Sequence, residues 1–413
     1  MTSPSLPRHL LKTSWAHADG ELLIGGQPVS AIAAALNADA FYVYDAALMR
    51  QRMAELRAAL PAGVHIRYAL KANPYPPVAA LMAGLADGMD VASANELRIA
   101  LDAGVAAQDI SFAGPGKRDA ELAQAIVAGC LINLESLNEA ARVAALGKSL
   151  DRKPRVALRL NPDFELRGAG MRMSGGAKPF GVDAEDAPEA LCEIAALGLD
   201  CEGLHIFSGS QSLKADAIAA SLEQAYALAE RLLPHLAAPL RQLNLGGGFG
   251  IPYFPGEPPL DLAPISAALK GIVTRAGQTM PQADLHLELG RYLVGEAGCY
   301  VTRIVDRKLS RGQVFLITAG GMNHHLAASG NLGQVLRKNY PVAIGNRFTA
   351  ATEENATVCG PLCSPLDVLA ENYALPRAEV GDLVVVFQSG AYGASASPQG
   401  FLSHAPLVET LVG

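Results

Sequence analysis

The chain has no apolar run approaching the roughly 18 residues of a membrane-spanning helix, no Cys-x-x-Cys pair, no His-x-x-x-His or His-x-His array, and no excess of positive charge. Each absence closes off a class of protein. No apolar segment follows Arg8 and Lys12 as in a secretory leader, so a cytoplasmic chain is expected. Six cysteines, at 130, 192, 201, 299, 359 and 363, are scattered and read as reduced thiols. The adjacent His324 and His325 would point to opposite faces of a regular strand, a poor geometry for one metal ion, and no metal site is expected. A net charge of −7 argues against nucleic acid or an anionic membrane as partner. What remains is a chain of 413 residues, half apolar and 18% charged, long enough for two domains and a large core.

Short β-type runs alternate with helical patterns between residues 41 and 290. The runs predict strands at His65–Leu70, Met89–Ala92, Ile110–Ala113, Leu131–Leu134, Val156–Leu160, Gly203–Phe207, Gln242–Leu245 and Leu285–Leu289. Three- and four-residue apolar spacing predicts helices between them, among them Pro77–Leu85, Glu96–Ala103, Asp119–Ala128 and Ala215–Leu233. Eight strand–helix repeats fit an α/β fold of the (β/α)8 TIM-barrel type, with an open doubly wound sheet as the alternative. Lys71, Ser93, Gly114, Glu135, Asn161, residues 205–210, Gly246–Gly248 and residues 288–291 all fall at the C-terminal ends of those strands, the rim where such barrels do their chemistry. After Arg291 the texture becomes β-rich, and Glu21–Val29 also reads as a strand. The expected domains are therefore residues 1–40 joined to a C-terminal β domain at 291–413, with the barrel at 41–290.

Four features of the rim bear on chemistry. Lys71 follows an apolar strand, and desolvation there would favour its neutral amine, the nucleophile for a Schiff base. Gly246-Gly-Gly248 follows a strand, and residues without Cβ let backbone N–H groups converge on an anion. Glu288 sits in Leu285-His-Leu-Glu-Leu289, an ionisable group among apolar neighbours. Cys363 and Asp367 form a Cys-x-x-x-Asp pair in the β-rich part.

Taken together, Tyr68-Ala-Leu-Lys-Ala-Asn73, Asp90-Val-Ala-Ser-Ala-Asn-Glu-Leu97, Gly246-Gly-Gly-Phe-Gly250, Glu288-Leu-Gly-Arg291, Cys363-Ser-Pro-Leu-Asp367 and Gly390-Ala-Tyr-Gly393 resemble the fold type III pyridoxal-phosphate (PLP) decarboxylases. That family includes diaminopimelate, ornithine and arginine decarboxylases, and the matching segments run in family order over nearly the whole chain. The resemblance implies an alanine-racemase-like fold, a homodimer with shared active sites, and PLP on Lys71. It implies that Gly246, Gly247, Gly248, Ser210, Arg291 and Tyr392 contact the phosphate. Glu288 would face the pyridine nitrogen and keep it protonated. The related alanine racemases place an arginine there, so the glutamate favours decarboxylation over racemisation. Cys363, delivered from the neighbouring subunit, would protonate the substrate carbon. Asp90, Glu96 and Arg159 match residues around the lysine and cofactor, while Ser364 and Asp367 belong with Cys363 on the substrate side. Either His205 or Phe207 would stack on the ring.

Several positions depart from the named members. Diaminopimelate decarboxylases carry a glutamate at the position of Ser364, and an arginine and a tyrosine at those of Ala327 and Asn331. Ornithine decarboxylases carry aspartates at the positions of Ala319 and Ser364. Without these partners neither diamino acid should be well recognised. Residues 203–211, 324–331 and 397–404 resemble a narrower branch. Its members accompany exosortase and exopolysaccharide clusters or act in siderophore and antibiotic pathways on carrier-linked or conjugated amino acids. The expected activity is PLP-dependent decarboxylation of an amino acid or amino-acid conjugate. The rivals are a lysine-pathway diaminopimelate decarboxylase and a non-catalytic PLP carrier, though such carriers end near the end of the barrel.

Overall fold

The computed structural model describes residues 15–413 except residue 335. Two compact units emerge: a barrel unit of residues 52–251 and 259–293, and a β unit of residues 15–51, 252–258 and 294–413.

The barrel has eight parallel strands: β1 (Val64–Ala69), β2 (Gly88–Val91), β3 (Ile110–Phe112), β4 (Leu131–Leu134), β5 (Arg155–Asn161), β6 (Cys201–Ile206), β7 (Gln242–Gly247) and β8 (Asp284–Leu289). Each pairs with the next, and β8 closes on β1 through Leu285↔Val64 to Leu289↔Tyr68. Closure removes every free strand edge and excludes the open-sheet alternative. Seven helices of eight residues or more lie between consecutive strands, from Pro76–Ala83 to Ala263–Thr279.

Strand alternation sorts the side chains into two sets. Ile66, Tyr68, Met89, Leu204, Ile206, Leu243, Leu285 and Leu287 are buried and aliphatic or aromatic, and they face the helix layer. The intervening positions hold Arg67, Asp90, Asn133, Arg159, His205, Asn244 and Glu288, all buried. Contacts among these polar side chains place the second set in the barrel interior: the Arg67 guanidinium donates to Gln242 Oε1 at 2.5 Å, past the intervening β8, and Arg159 to Glu135 at 2.7 Å. The apolar neighbours of Glu288 in sequence thus lie on the opposite face of β8.

Two of the connections are fixed by reciprocal capping at a helix start. After β2, Ser93 Oγ accepts from the Glu96 N–H while Glu96 Oε2 accepts from Ala92 N–H at 2.7 Å. After β4, Ser136 and Glu139 repeat the arrangement. Glu96, matched by resemblance to the cofactor region, is therefore a capping residue in this fold.

In the β unit the long strand Gly298–Ser310 pairs with Ala40–Asp45, Leu383–Val386 and Gln313–Thr318, and Ala40–Asp45 also pairs with Val408–Val412. Residues 41–51, expected at the start of the barrel, therefore lie in this unit. An uninterrupted apolar run such as Phe41-Tyr-Val-Tyr44 is equally compatible with a buried strand in either place. The strand expected over Glu21–Val29 is instead a hairpin, Glu21–Ile24 and Gln27–Pro28, followed by a helix at Val29–Leu36. Gly25 and Gly26, at φ 57° and 77°, make the turn. Trp15, Leu22, Ile24, Phe41, Val43, Cys299, Val301, Val385 and Phe387 form the core of this unit. Among the described residues no helix is long and apolar enough to cross a membrane.

Candidate active site

Lys71 lies two residues beyond the end of β1, in the one-turn 3-10 helix Leu70–Ala72. Its ammonium is 2.8 Å from Glu288 Oε1, and its side chain is 43% exposed. Desolvation is thus not the distinguishing feature expected of this lysine; a carboxylate partner is. Glu288 is engaged twice, because His205 Nε2 lies 3.2 Å from its other oxygen. Burial pushes the Glu288 carboxyl up, but the charges of Lys71 and His205 outweigh it and hold the group well below the usual carboxylate range. Burial pushes the His205 imidazole down, with Glu288 opposing.

Asp90, buried nearby on β2, behaves in the opposite way. Burial and the Glu288 charge raise its pKa from 3.8 to about 7, and the Arg67 guanidinium, 3.9 Å away, offsets only part of this. Two lumen carboxyls are thereby driven apart in acidity by their surroundings, a pattern typical of functional sites.

Arg159 on β5 is held by Glu135, a residue that sequence reasoning placed on the rim without a role. Glu135 Oε1 accepts from Arg159 and from the Gly114 N–H, both at 2.7 Å, and Oε2 accepts from the Gly181 N–H at 2.8 Å. Its pKa is pushed up by burial but lowered overall by Arg159 and Lys117. Lys117 is itself buried and 3.0 Å from Glu139. One carboxylate so ties together three strand-end loops and a guanidinium that also lies over the Phe180 ring, 4.9 Å from its centroid.

Phe207 follows β6 directly, and its ring centroid is 5.5 Å from Lys71 Nζ. Gly246 and Gly248, at φ 78° and 83°, turn the chain at the end of β7. A Cβ at Gly246 would come within 2.6 Å of the Ile206 carbonyl, and one at Gly247 would overlap the Glu288 carbonyl. Only glycine lets this loop pass between the ends of β6 and β8. Ser210 bridges antiparallel to Met171, and Arg291 opens the short helix after β8.

Cys363, Ser364, Asp367 and Tyr392 belong to the β unit. Cys363 is exposed on the loop after strand Glu354–Cys359. Tyr392 has φ 53° between Gly390 and Gly393, and a Cβ at Gly393 would meet the Tyr42 ring at 2.6 Å. A tyrosine held left-handed in a fixed turn is the kind of strain that accompanies function. Asp367, expected beside substrate, is instead 2% exposed, with Oδ1 accepting from Met322 N–H and Oδ2 from Leu362 N–H. Its hydrogen bonds go to the protein's own backbone. His324 and His325 lie in a turn, not on a strand. His324 Nδ1 is 3.1 Å from the Tyr300 hydroxyl, and His325 Nε2 is 2.9 Å from Ser389 Oγ.

A lysine and a carboxylate facing each other at a barrel rim, beside a glycine turn, coincide with a known family. Residues 46–295 match the pyridoxal-dependent decarboxylases through their pyridoxal binding domain. The chain belongs to this family. An L-glutamyl-(BtrI acyl-carrier protein) decarboxylase of Niallia circulans is 36% identical over 378 residues, covering 90% of this chain and 88% of the relative. A 2-((L-alanin-3-ylcarbamoyl)methyl)-2-hydroxybutanedioate decarboxylase of Staphylococcus aureus is 30% identical, covering 88% and 91%. The crystal structure of Helicobacter pylori diaminopimelate decarboxylase with L-lysine superposes with a TM-score of 0.80 at 27% identity, over 91% of each chain. The protein is a PLP-dependent amino-acid decarboxylase with the alanine-racemase-like, fold type III architecture, as the resemblance implied.

The residues present fit that cofactor. The rim offers an amine, a carboxylate kept ionised by basic neighbours, an aromatic ring beside the amine, and a turn in which Cβ atoms are excluded. Bound there, PLP supplies the ring that accepts the electron pair released when the bond to the substrate carboxylate breaks.

Proposed function

We propose that this decarboxylase acts on an amino acid whose distal end is neutral or joined to a larger group, such as a carrier-linked conjugate. The observation that carries this reading is the residue set Ser364, Ala327, Asn331 and Ala319. It lacks the charged groups that would hold a free distal ammonium or amino-acid terminus. Asn331 is also committed locally: its amide donates to Ser329 Oγ at 2.7 Å and to the Leu366 carbonyl at 3.2 Å. Relatives whose substrates are conjugates support the same reading.

In this proposal Lys71 would hold the cofactor's aldehyde carbon and Glu288 the pyridine nitrogen, with His205 behind Glu288 orienting it. His205 is then a supporting residue and Phe207, beside the lysine, the ring that lies against the cofactor. Gly246–Gly248, Ser210, Arg291 and Tyr392 bind the phosphate, and Asp90 and Arg159 shape the field of the lumen. Cys363 gives its Sγ proton to the substrate Cα after carbon dioxide leaves, so that the proton lost by the thiol appears in the amine product. Two copies of the chain share their sites, each Cys363 serving the partner's Lys71. The protein acts in the cytoplasm. The test is carbon dioxide release from a panel of free and carrier-bound amino acids. Release from bound substrates at least tenfold above the free ones is expected, and equal or greater release from free diamino acids overturns the reading.

A further inference from the structure

The strands Gln313–Thr318 and Glu354–Cys359 run parallel, with Ile317 opposite Cys359, so their C-terminal ends lie side by side. From one end the chain continues through Gly320-Gly-Met322, and from the other through the loop 360–367 that carries Cys363. Asp367 sits where these segments meet. Its Oδ1 accepts from Met322 N–H at 2.6 Å in the first segment, and its Oδ2 from Leu362 N–H at 2.8 Å in the second. The loop is also closed on itself, the Gly360 N–H donating to the Asp367 carbonyl at 3.1 Å and the Asp367 N–H to the Ser364 carbonyl at 3.2 Å.

The packing around the carboxylate leaves it little freedom. A Cβ added at Gly321 or at Gly360 would overlap the carboxylate oxygens, and the carboxylate is 2% exposed. Burial of a carboxylate is costly, and here two backbone N–H groups from separate segments offset that cost. Leu362, one of the donors, directly precedes Cys363. Neither Met322 nor Leu362 has a side chain that makes this link, so the Asp367 carboxylate alone joins the Met322 and Leu362 backbones, while Asn331, donating to the Leu366 carbonyl, ties the loop further along.

We propose that Asp367 is a positioning residue that pins the Cys363 loop to the Gly320–Met322 turn. It acts through the placement of the thiol and does not contact the substrate. The kinetic consequence rests on the proposed role of Cys363; the mechanical one does not.

The test compares Asp367→Asn with the parent as the PLP-loaded protein. Asparagine keeps the shape but turns an NH2 group towards one of the two N–H donors, so one link is lost. We expect amide exchange in the peptides containing Met322 and Leu362 to rise at least tenfold, and iodoacetamide labelling of Cys363, followed by peptide mapping, to change at least fivefold. We expect kcat to fall at least tenfold, with KM and the visible absorbance of the bound cofactor changed by less than twofold. If Asp367→Asn does not accumulate as folded protein, Asp367→Ser, whose hydroxyl accepts one of the two bonds, takes its place. Exchange and labelling within twofold of the parent overturn the proposal. Cys363→Ala, measured in parallel, separates the two readings. Full kcat in that variant removes the thiol from the reaction and leaves exchange and labelling to decide the positioning role.

Discussion

Glu288 holds two basic groups at once, Lys71 Nζ at 2.8 Å on one oxygen and His205 Nε2 at 3.2 Å on the other. The arrangement keeps a fully buried carboxylate ionised in a barrel lumen. It also places the cluster's negative charge beside Lys71, the residue we propose as the cofactor's anchor. Strict alternation along β8 puts Glu288 on the inner face while Leu287 and Leu289 cover the outer one.

Replacing Glu288 with glutamine keeps the size of the side chain but removes the charge. The expected outcome is a fall in kcat of about 10²-fold or more, the range for loss of one preorganised electrostatic group. Lys71 should still hold the cofactor, so borohydride should fix PLP on the Lys71 peptide in the variant as in the parent. Carbon dioxide release under saturating substrate measures the effect, and a kcat within threefold of the parent would contradict the assigned role.

Asp90 should leave a mark on stability against pH. Its pKa is raised in the folded protein, from 3.8 to about 7, so folding favours the protonated form. The stabilisation from this group is complete below about pH 3.8 and is lost as pH rises through about 7. Asp90→Asn has no such loss. The variant should therefore gain on the parent between these two values, by at most about 4 kcal/mol, and the gain should level off above them. Denaturant unfolding of the cofactor-free proteins at several pH values checks this, and a difference independent of pH would refute the assignment.

Sharing of sites across a two-fold dimer is tested by complementation. Lys71→Ala and Cys363→Ala chains, each inactive alone, should recover part of the parental activity when mixed, because each mixed dimer keeps one intact composite site. Absence of recovery after demonstrated subunit exchange would place both residues in one subunit's site.

The barrel and its rim were legible because both rest on local signals. Strand period, helix spacing and strand-end position place Lys71, Glu288 and Gly246–Gly248 without knowledge of distant partners. What escaped depends on contacts that only closure creates. Arg67 meets Gln242 across 175 residues of sequence, and Glu135 joins Arg159 with the loops at Gly114 and Gly181. The strand Ala40–Asp45 finds its partners at Gly298–Thr302 and Val408–Val412, too far along the chain for periodicity to assign it to the β unit. Asp367 was expected with Cys363 on the substrate side, and no local pattern points to its backbone partner in another segment, Met322.

The most direct test of the substrate assignment is kcat/KM for meso-diaminopimelate beside a carrier-bound amino acid. Loss of a charged hydrogen bond in a closed site costs roughly 1.5–3 kcal/mol. Two such losses, at the positions of Ser364 and Ala327, lower kcat/KM by about 10²–10⁴-fold. The free diamino acid should therefore fall that far below the conjugate. A kcat/KM for meso-diaminopimelate of about 10⁴ M⁻¹s⁻¹ or more, with no preference for the conjugate, would make this chain a diaminopimelate decarboxylase and contradict the proposal.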